Sequence, residues 1–234
     1  MAAYMRKFSV PMALLMFCSF WGRAAPLEVI AINYPPFTQA SQADGDHGTA
    51  FGMLAQALAD TQVTLKPQFY SPARANKLIH SGQWCASFYP PKQASSKYVH
   101  VPLSSQSVEL GLYRKRQAEP FYWQDLSDLA GSRVAFLRGF SRDGLGFKFN
   151  QAGITLFDVE TIRQGLQLLL KQRVDYAFAD NISGPMLFSD LGVDAKDYQF
   201  STTLLGSISV GIWLNLGCDE AAKALSELNA KGYR

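Results

Sequence analysis

The chain has 234 residues, 48% of them apolar, with 22 basic and 19 acidic side chains and a formal net charge of +3 at pH 7. Arg6, Lys7 and Arg23 account for that excess, so the residues after position 24 carry no net charge, which argues against a basic surface for nucleic acid. The length allows one large domain or two small ones, each with its own core, and no repeat, low-complexity tract or coiled-coil period divides it.

At the start, Arg6 and Lys7 precede an apolar run over 8–21 and the small-x-small triplet Gly22, Arg23, Ala24. This is the pattern of a cleavable signal peptide over 1–24, the run being shorter than the roughly 20 residues that span a membrane. Export to an oxidising compartment follows. Cys85 and Cys218 remain after cleavage, enough for one disulfide; two buried free thiols are the favoured reading.

The apolar run 27–33 reads as a strand ended by Pro35 and Pro36, because proline has no N–H to donate to a sheet. Tyr34 and Phe37 flank the prolines. Phe51, Leu54, Ala55 and Leu58 mark one face of a helix over 51–60, and 63–70 alternates as a strand does. Ser71 and Pro72 suit the N-cap and first position of a helix running to His80 and stopped at Gly82. Strands over 84–89 and 108–113 follow, then a polar segment over 114–119. The second half opens with a short helix, a turn at Gly131, a strand over 133–137 and a glycine-containing turn into a helix. Ile162, Leu166, Leu169 and Leu170 form the stripe of the next helix, which leads to a strand over 175–179. A strand over 207–215 and a helix over 220–230 close the chain. Such alternation predicts α/β layers with a largely parallel sheet.

In folds of this class, ligands lie outside the carboxyl ends of the strands. Tyr34, Tyr70 and Tyr89 each follow a predicted strand, so three phenols are expected at one edge. A ring face suits a cation or a flat apolar group, and the hydroxyl adds a hydrogen bond. Phe37 is read instead as packing. Arg74, one turn into the helix after Tyr70, is a candidate cation near the cleft edge. Arg138 and Arg142 bracket Gly139, Phe140 and Ser141 ahead of a helix whose N-terminal N–H groups attract anions, and Gly139 permits close backbone approach. Asp180 ends a strand; apart from capping the helix after it, an acidic group there has few structural uses.

Five segments in this order resemble the family 3 periplasmic solute-binding proteins, which serve polar amino-acid transporters: YPPF, PARANKLIHSGQWCASF, KYVHVPLSS, DLAGSRVAFLRGFS and GLQLLLKQRVDYAFAD. Each is weak by itself, and the order and spacing carry the likeness over nearly the whole mature chain. The resemblance implies an α/β, two-lobed type II periplasmic binding protein fold. Each lobe is a mixed, mostly parallel sheet flanked by helices, with two hinge crossings. Residues 25–111 and 204–234 would form lobe one and residues 112–203 lobe two. It further implies a periplasmic monomer without cofactor or metal. Such a protein holds a small polar solute (an amino acid, amine or small organic acid) in the interlobe cleft for an inner-membrane ABC permease, closing as a hinge. A membrane sensor protein is the alternative partner. Tyr34 takes the place of the family's aromatic lid, Phe140 and Ser141 the place of ligand contacts, and Asp180 that of the partner for the ligand's amino group. The chain departs from the family at the arginine that clamps the ligand's carboxylate. An ungapped match puts Lys97 in its place, and pairing on the KYV triplet puts Ser95 there. Lysine pairs as a point charge and serine does not, which weighs against a standard α-amino acid.

Enzyme motifs are missing. His47, His80 and His100 are scattered, and there is no zinc pattern, nucleophile elbow or phosphate loop. The periplasmic cyclohexadienyl dehydratases share the implied fold, and Glu109, Asp180 and the arginines would have to supply an acid and carboxylate clamps. A binding protein, not an enzyme, is expected.

Overall fold

The computed structural model describes residues 25–40, 45–91, 95–138 and 144–234. The signal peptide expected over 1–24 and the candidates Gly139, Phe140, Ser141 and Arg142 lie outside the described residues. A first wing consists of β1 (Leu27–Ala31), α1 (Thr49–Ala57), β2 (Leu65–Phe69), α2 (Pro72–His80) and β3 (Ala86–Ser87). The long strand β4 (Tyr98–Lys115) leads to a second wing of β5 (Arg133–Leu137), α3 (Gly144–Gln151), β6 (Thr155–Val159), α4 (Ile162–Leu170) and β7 (Tyr176–Asp180). Then come α5 (Ser183–Asp190), β8 (Tyr198–Phe200), β9 (Gly206–Asn215) and α6 (Asp219–Ala230).

The strands join in the order β2-β1-β3-β9-β4-β7-β5-β6, with β8 against the end of β4. The two wings share one topology. β1 lies between β2 and β3 and parallel to both, and β5 lies between β6 and β7 and parallel to both. Between the wings, β4 and β9 run antiparallel to each other; β9 also pairs with β3 and β4 with β7. In each wing the chain therefore reverses direction of travel across the sheet on either side of its first strand. Those are the points where an open α/β sheet leaves a crevice.

Two apolar cores support this frame. One packs Leu27 and Val29 of β1 with Phe51 and Leu54 of α1, Leu214 of β9 and Leu228 of α6. The other runs from Ile79 and Trp84 in the first wing to Phe136, Leu166 and Phe188 in the second. Pro67 is tolerated in β2 because that strand is at an edge, paired only with β1. No described helix is long and apolar enough to cross a membrane.

Several elements differ from the sequence expectations. The strand expected over 108–113 is the middle of β4, which begins at Tyr98 and shifts register between Pro102 and Ser107. Proline and a run of serines hide that continuity. The strand expected over 84–89 shrinks to β3, because the Ser87 hydroxyl bonds the Tyr89 backbone and turns the chain out of the ladder. Neither β6 nor β8 carries a strong apolar period, and neither was foreseen; α5 is the helix expected after Asp180.

The favoured reading of Cys85 and Cys218 as free thiols is corrected: they form a disulfide, with Cα atoms 5.4 Å apart. Antiparallel pairing of Ala86 with Leu214 brings the two positions together across a sequence separation of 133. Spacing along the chain carries no trace of that pairing.

Candidate functional site

A cleft of about 220 Å³ opens between the wings. Tyr34, Phe37, Phe88 and Tyr89 line it from the first wing, and Phe136, Leu137, Leu145 and Phe178 from the second. Val108 and Leu110 of β4 and residues 208–211 of β9 complete it. The topology explains which strand ends contribute. Tyr34 follows β1, Tyr89 follows β3, Leu137 ends β5 and Asp180 ends β7. These are the strands on the crevice side of each wing.

The turn bearing Tyr34 is tightly held. Tyr34 and Thr38 exchange backbone hydrogen bonds of 2.7 and 3.0 Å, and the Thr38 hydroxyl donates to the Ile32 carbonyl at 2.8 Å. The Pro36 and Phe37 carbonyls accept from Thr49 and Ala50 at 2.9 Å each, so the turn sits on the start of α1. Gly48 makes this possible. Its φ is +94°, and a Cβ there would lie 2.6 Å from the Phe37 oxygen. Phe37, expected to be packing, therefore shares the cleft wall with Tyr34.

Asp180 is fully buried. Its Oδ1 accepts from the backbone N–H groups of Ile182 and Ser183 at 2.8 and 2.7 Å, where α5 begins. The Tyr113 hydroxyl donates to its main-chain carbonyl at 3.2 Å. Its Oδ2 has no hydrogen-bond partner among the described residues, nor has the Ser183 hydroxyl or the Tyr34 hydroxyl. Tyr34 and Asp180 are nonetheless neighbours. Burial first, then the Asp180 charge, raises the Tyr34 pKa well above that of an ordinary phenol, although the two groups lack the geometry of a hydrogen bond. Burial and the same charge also raise Tyr113. Thus Tyr34, on the cleft wall, lies beside Asp180 of the other wing, which is buried and is not itself among the lining residues.

The candidate cations among the described residues lie elsewhere. Tyr70 follows β2, the outer strand of the first wing, and the Arg74 guanidinium stacks 4.8 Å from its ring centroid. Arg138 turns toward the outer strand of the second wing and pairs with Glu160 at 3.0 Å. Lys97 is exposed on the turn entering β4, where its backbone N–H donates to the Ser95 hydroxyl at 3.2 Å. None of Tyr70, Arg74, Ser95, Lys97 and Arg138 lines the cleft, and among the described residues its lining holds no charged side chain. The polar side chains on its wall are Tyr34, Thr38, Tyr89 and Ser209. Sequence reasoning missed the apolar wall because Phe136, Leu137 and Phe178 look like ordinary core strand positions.

No family model matches the sequence, and no curated protein matches it. Solved structures do match the fold. Holo ArgBP from T. maritima superposes with a TM-score of 0.63 at 16% identity, covering 88% of each chain. The substrate-binding protein of an amino acid ABC transporter gives 0.61 at 14% identity, over 88% of this chain and 94% of that one. A histidine kinase sensor domain with similarity to periplasmic binding proteins gives 0.63 at 17% identity, over 90% and 92%. The chain thus has the two-lobed α/β fold of the periplasmic binding proteins.

Proposed function

We propose that this protein is a periplasmic solute-binding protein. It holds a small polar solute (an amino acid, amine or small organic acid) between its lobes and delivers it to an inner-membrane ABC transporter. The observation that carries this reading is the cleft itself. It lies at the carboxyl ends of the crevice-side strands of both wings, with Tyr34 from one wing beside Asp180 of the other. At about 220 Å³ it is smaller than the roughly 300–1,000 Å³ of drug-sized ligand sites, so the solute is small. On this reading residues 1–24 are a cleaved signal peptide, 25–111 and 204–234 form lobe one, and 112–203 form lobe two. The protein works as a monomer.

A second reading rests on the sensor-domain likeness: the same cleft can load a membrane sensor in place of a permease. The two differ in partner and not in ligand chemistry.

A thermal-shift screen of amino acids, amines, small acids and short peptides tests solute binding. A ligand held at about 100 times its Kd adds roughly 2.7 kcal/mol of stability. Prephenate should remain intact in the presence of the protein, and release of phenylpyruvate would show an enzyme. A screen in which nothing stabilises the protein counts against the solute-binding reading in both its forms.

A further inference from the structure

We propose that the strand pair at the floor of the cleft receives an apolar part of the solute, and that Ile208 of β9 sets the preference for it. This deepens the solute-binding reading and rests on it. Such an apolar part is common to solutes whose head is an ammonium, a carboxylate or both.

β4 and β9 pass between the wings, and in their antiparallel register Val108 lies opposite Ile208. Residues directly opposite in such a pair share a face, as do residues two apart along each strand. Val108, Leu110, Ile208 and Val210 therefore project to one side, and all four line the cleft. The other side of the same ladder carries Ser107, Glu109 and Ser207, and the Ser107 and Ser207 hydroxyls bond each other. Of that polar side only Ser209 touches the cleft wall among the described residues. The ribbon thus sorts its residues and turns the apolar ones to the cleft. None of the ligand positions that the resemblance implies lies on this pair.

Val108 is 3% exposed, whereas Ile208 beside it remains 53% exposed. A single apolar residue on an open surface needs no explanation. Ile208 differs because it stands in a concave site, in one lining with Val210 and Leu110 and with Phe136 of β5 and Phe178 of β7. Among the described residues the other large apolar side chains that are exposed, such as Phe147 and Leu204, lie off the cleft. An apolar group that displaces water from such a floor gains about fourfold in affinity per methylene. A hydroxyl in the same place is buried against aliphatic side chains, which costs affinity.

Isothermal titration with homologous series of three head groups tests this: alanine to norleucine, ethylamine to pentylamine, and propionate to hexanoate. In a series whose head group the cleft accepts, affinity should rise about fourfold with each methylene. Isosteric pairs that exchange a methyl for a hydroxyl are L-valine with L-threonine, isobutylamine with 1-amino-2-propanol, and isobutyrate with lactate. The apolar member of the accepted pair should bind about tenfold or more tightly than its partner. Ile208→Val and Ile208→Thr give side chains of nearly the same shape at an exposed position, and the affinity gap between these two variants should widen along the series. Affinity that stays flat or falls with length, or hydroxyl members that bind as tightly, overturns the inference and leaves the solute-binding reading standing. A gap that is constant for every member does the same, because Ile208 would then serve lobe closure and not the solute's apolar part. Binding only of solutes without an apolar part overturns it in the same way. Failure of every solute, here and in the thermal-shift screen, overturns both.

Discussion

Tyr34, Tyr113 and His100 tie the protein's stability to pH. The raised Tyr34 pKa means that an unfolded chain loses that proton near pH 10 while the folded chain keeps it. Its contribution is therefore complete below about pH 10 and is lost as pH rises toward the folded value. Tyr113 adds to the same alkaline limb. His100 works at the other end. It lies opposite Trp213, with ring centroids 4.8 Å apart, and burial lowers its pKa below 6.5. Below pH 6.5 the unfolded state takes up a proton before the folded state does, so stability falls as pH drops toward the folded value. Chemical-denaturation midpoints measured from pH 4 to 11 should form a plateau that falls at both ends. Tyr34→Phe should flatten the alkaline limb and His100→Gln the acid limb. Limbs unchanged in these variants would place the titrating groups elsewhere.

Among the elements, the turn between β1 and α1 and the disulfide near β3 are the two places where a small change has a large structural consequence. Gly48 combines a positive φ with contact against the Phe37 carbonyl, so Gly48→Ala must move the turn that carries Tyr34. We expect a loss of roughly 1–3 kcal/mol in urea unfolding, the usual cost of a side chain in a disfavoured backbone region, together with weaker ligand binding. A Gly48→Ala protein as stable as the parent would mean that the turn is not held as described. The Cys85–Cys218 bond joins the entry of β3 to the start of α6 across a separation of 133 residues. Replacing both cysteines with serine should cost about 2–5 kcal/mol, because the long loop it closes leaves the unfolded chain far more freedom once opened. Equal unfolding midpoints with and without reductant would contradict this.

For the whole molecule, the arrangement of wings makes closure on ligand the expected motion. Tyr34 belongs to one wing and Asp180 to the other, and β4 and β9 are the strands that pass between them. A ligand touching both walls favours the closed form only by its differential affinity for that form. Solution scattering should show a smaller radius of gyration once ligand saturates the protein, and Tyr34→Ala and Asp180→Ala should weaken binding and reduce the compaction at fixed ligand concentration. Saturation without any change in scattering would mean a rigid cleft.

Much of this frame is legible in the linear chain because it depends on local rules. Alternating apolar strands and helices announce an α/β fold, prolines end β1 before Tyr34, and a strand ends at Asp180. The positions of Tyr34, Tyr89 and Asp180 at strand ends follow from these short-range patterns. What the chain could not reveal depends on partners far apart in sequence. Tyr70 is as plainly a strand-end tyrosine as Tyr34, yet the order β2-β1-β3 puts it on the outer side of its wing. Arg138 is as plainly a cation beside a turn, yet Glu160, after β6, takes it up. Cys85 meets Cys218 only because β3 pairs with β9. The apolar character of the cleft is likewise a tertiary fact: periodicity shows that Phe136 and Phe178 are buried, and only the meeting of two wings decides that they are buried around a space. Local sequence determined the helices α1, α2, α4 and α6 and the ends of β1 and β7; the extent of β3 and β4, the presence of β6 and β8, and which strand ends share a cavity were set by sheet pairing, a long-range property that no local pattern encodes.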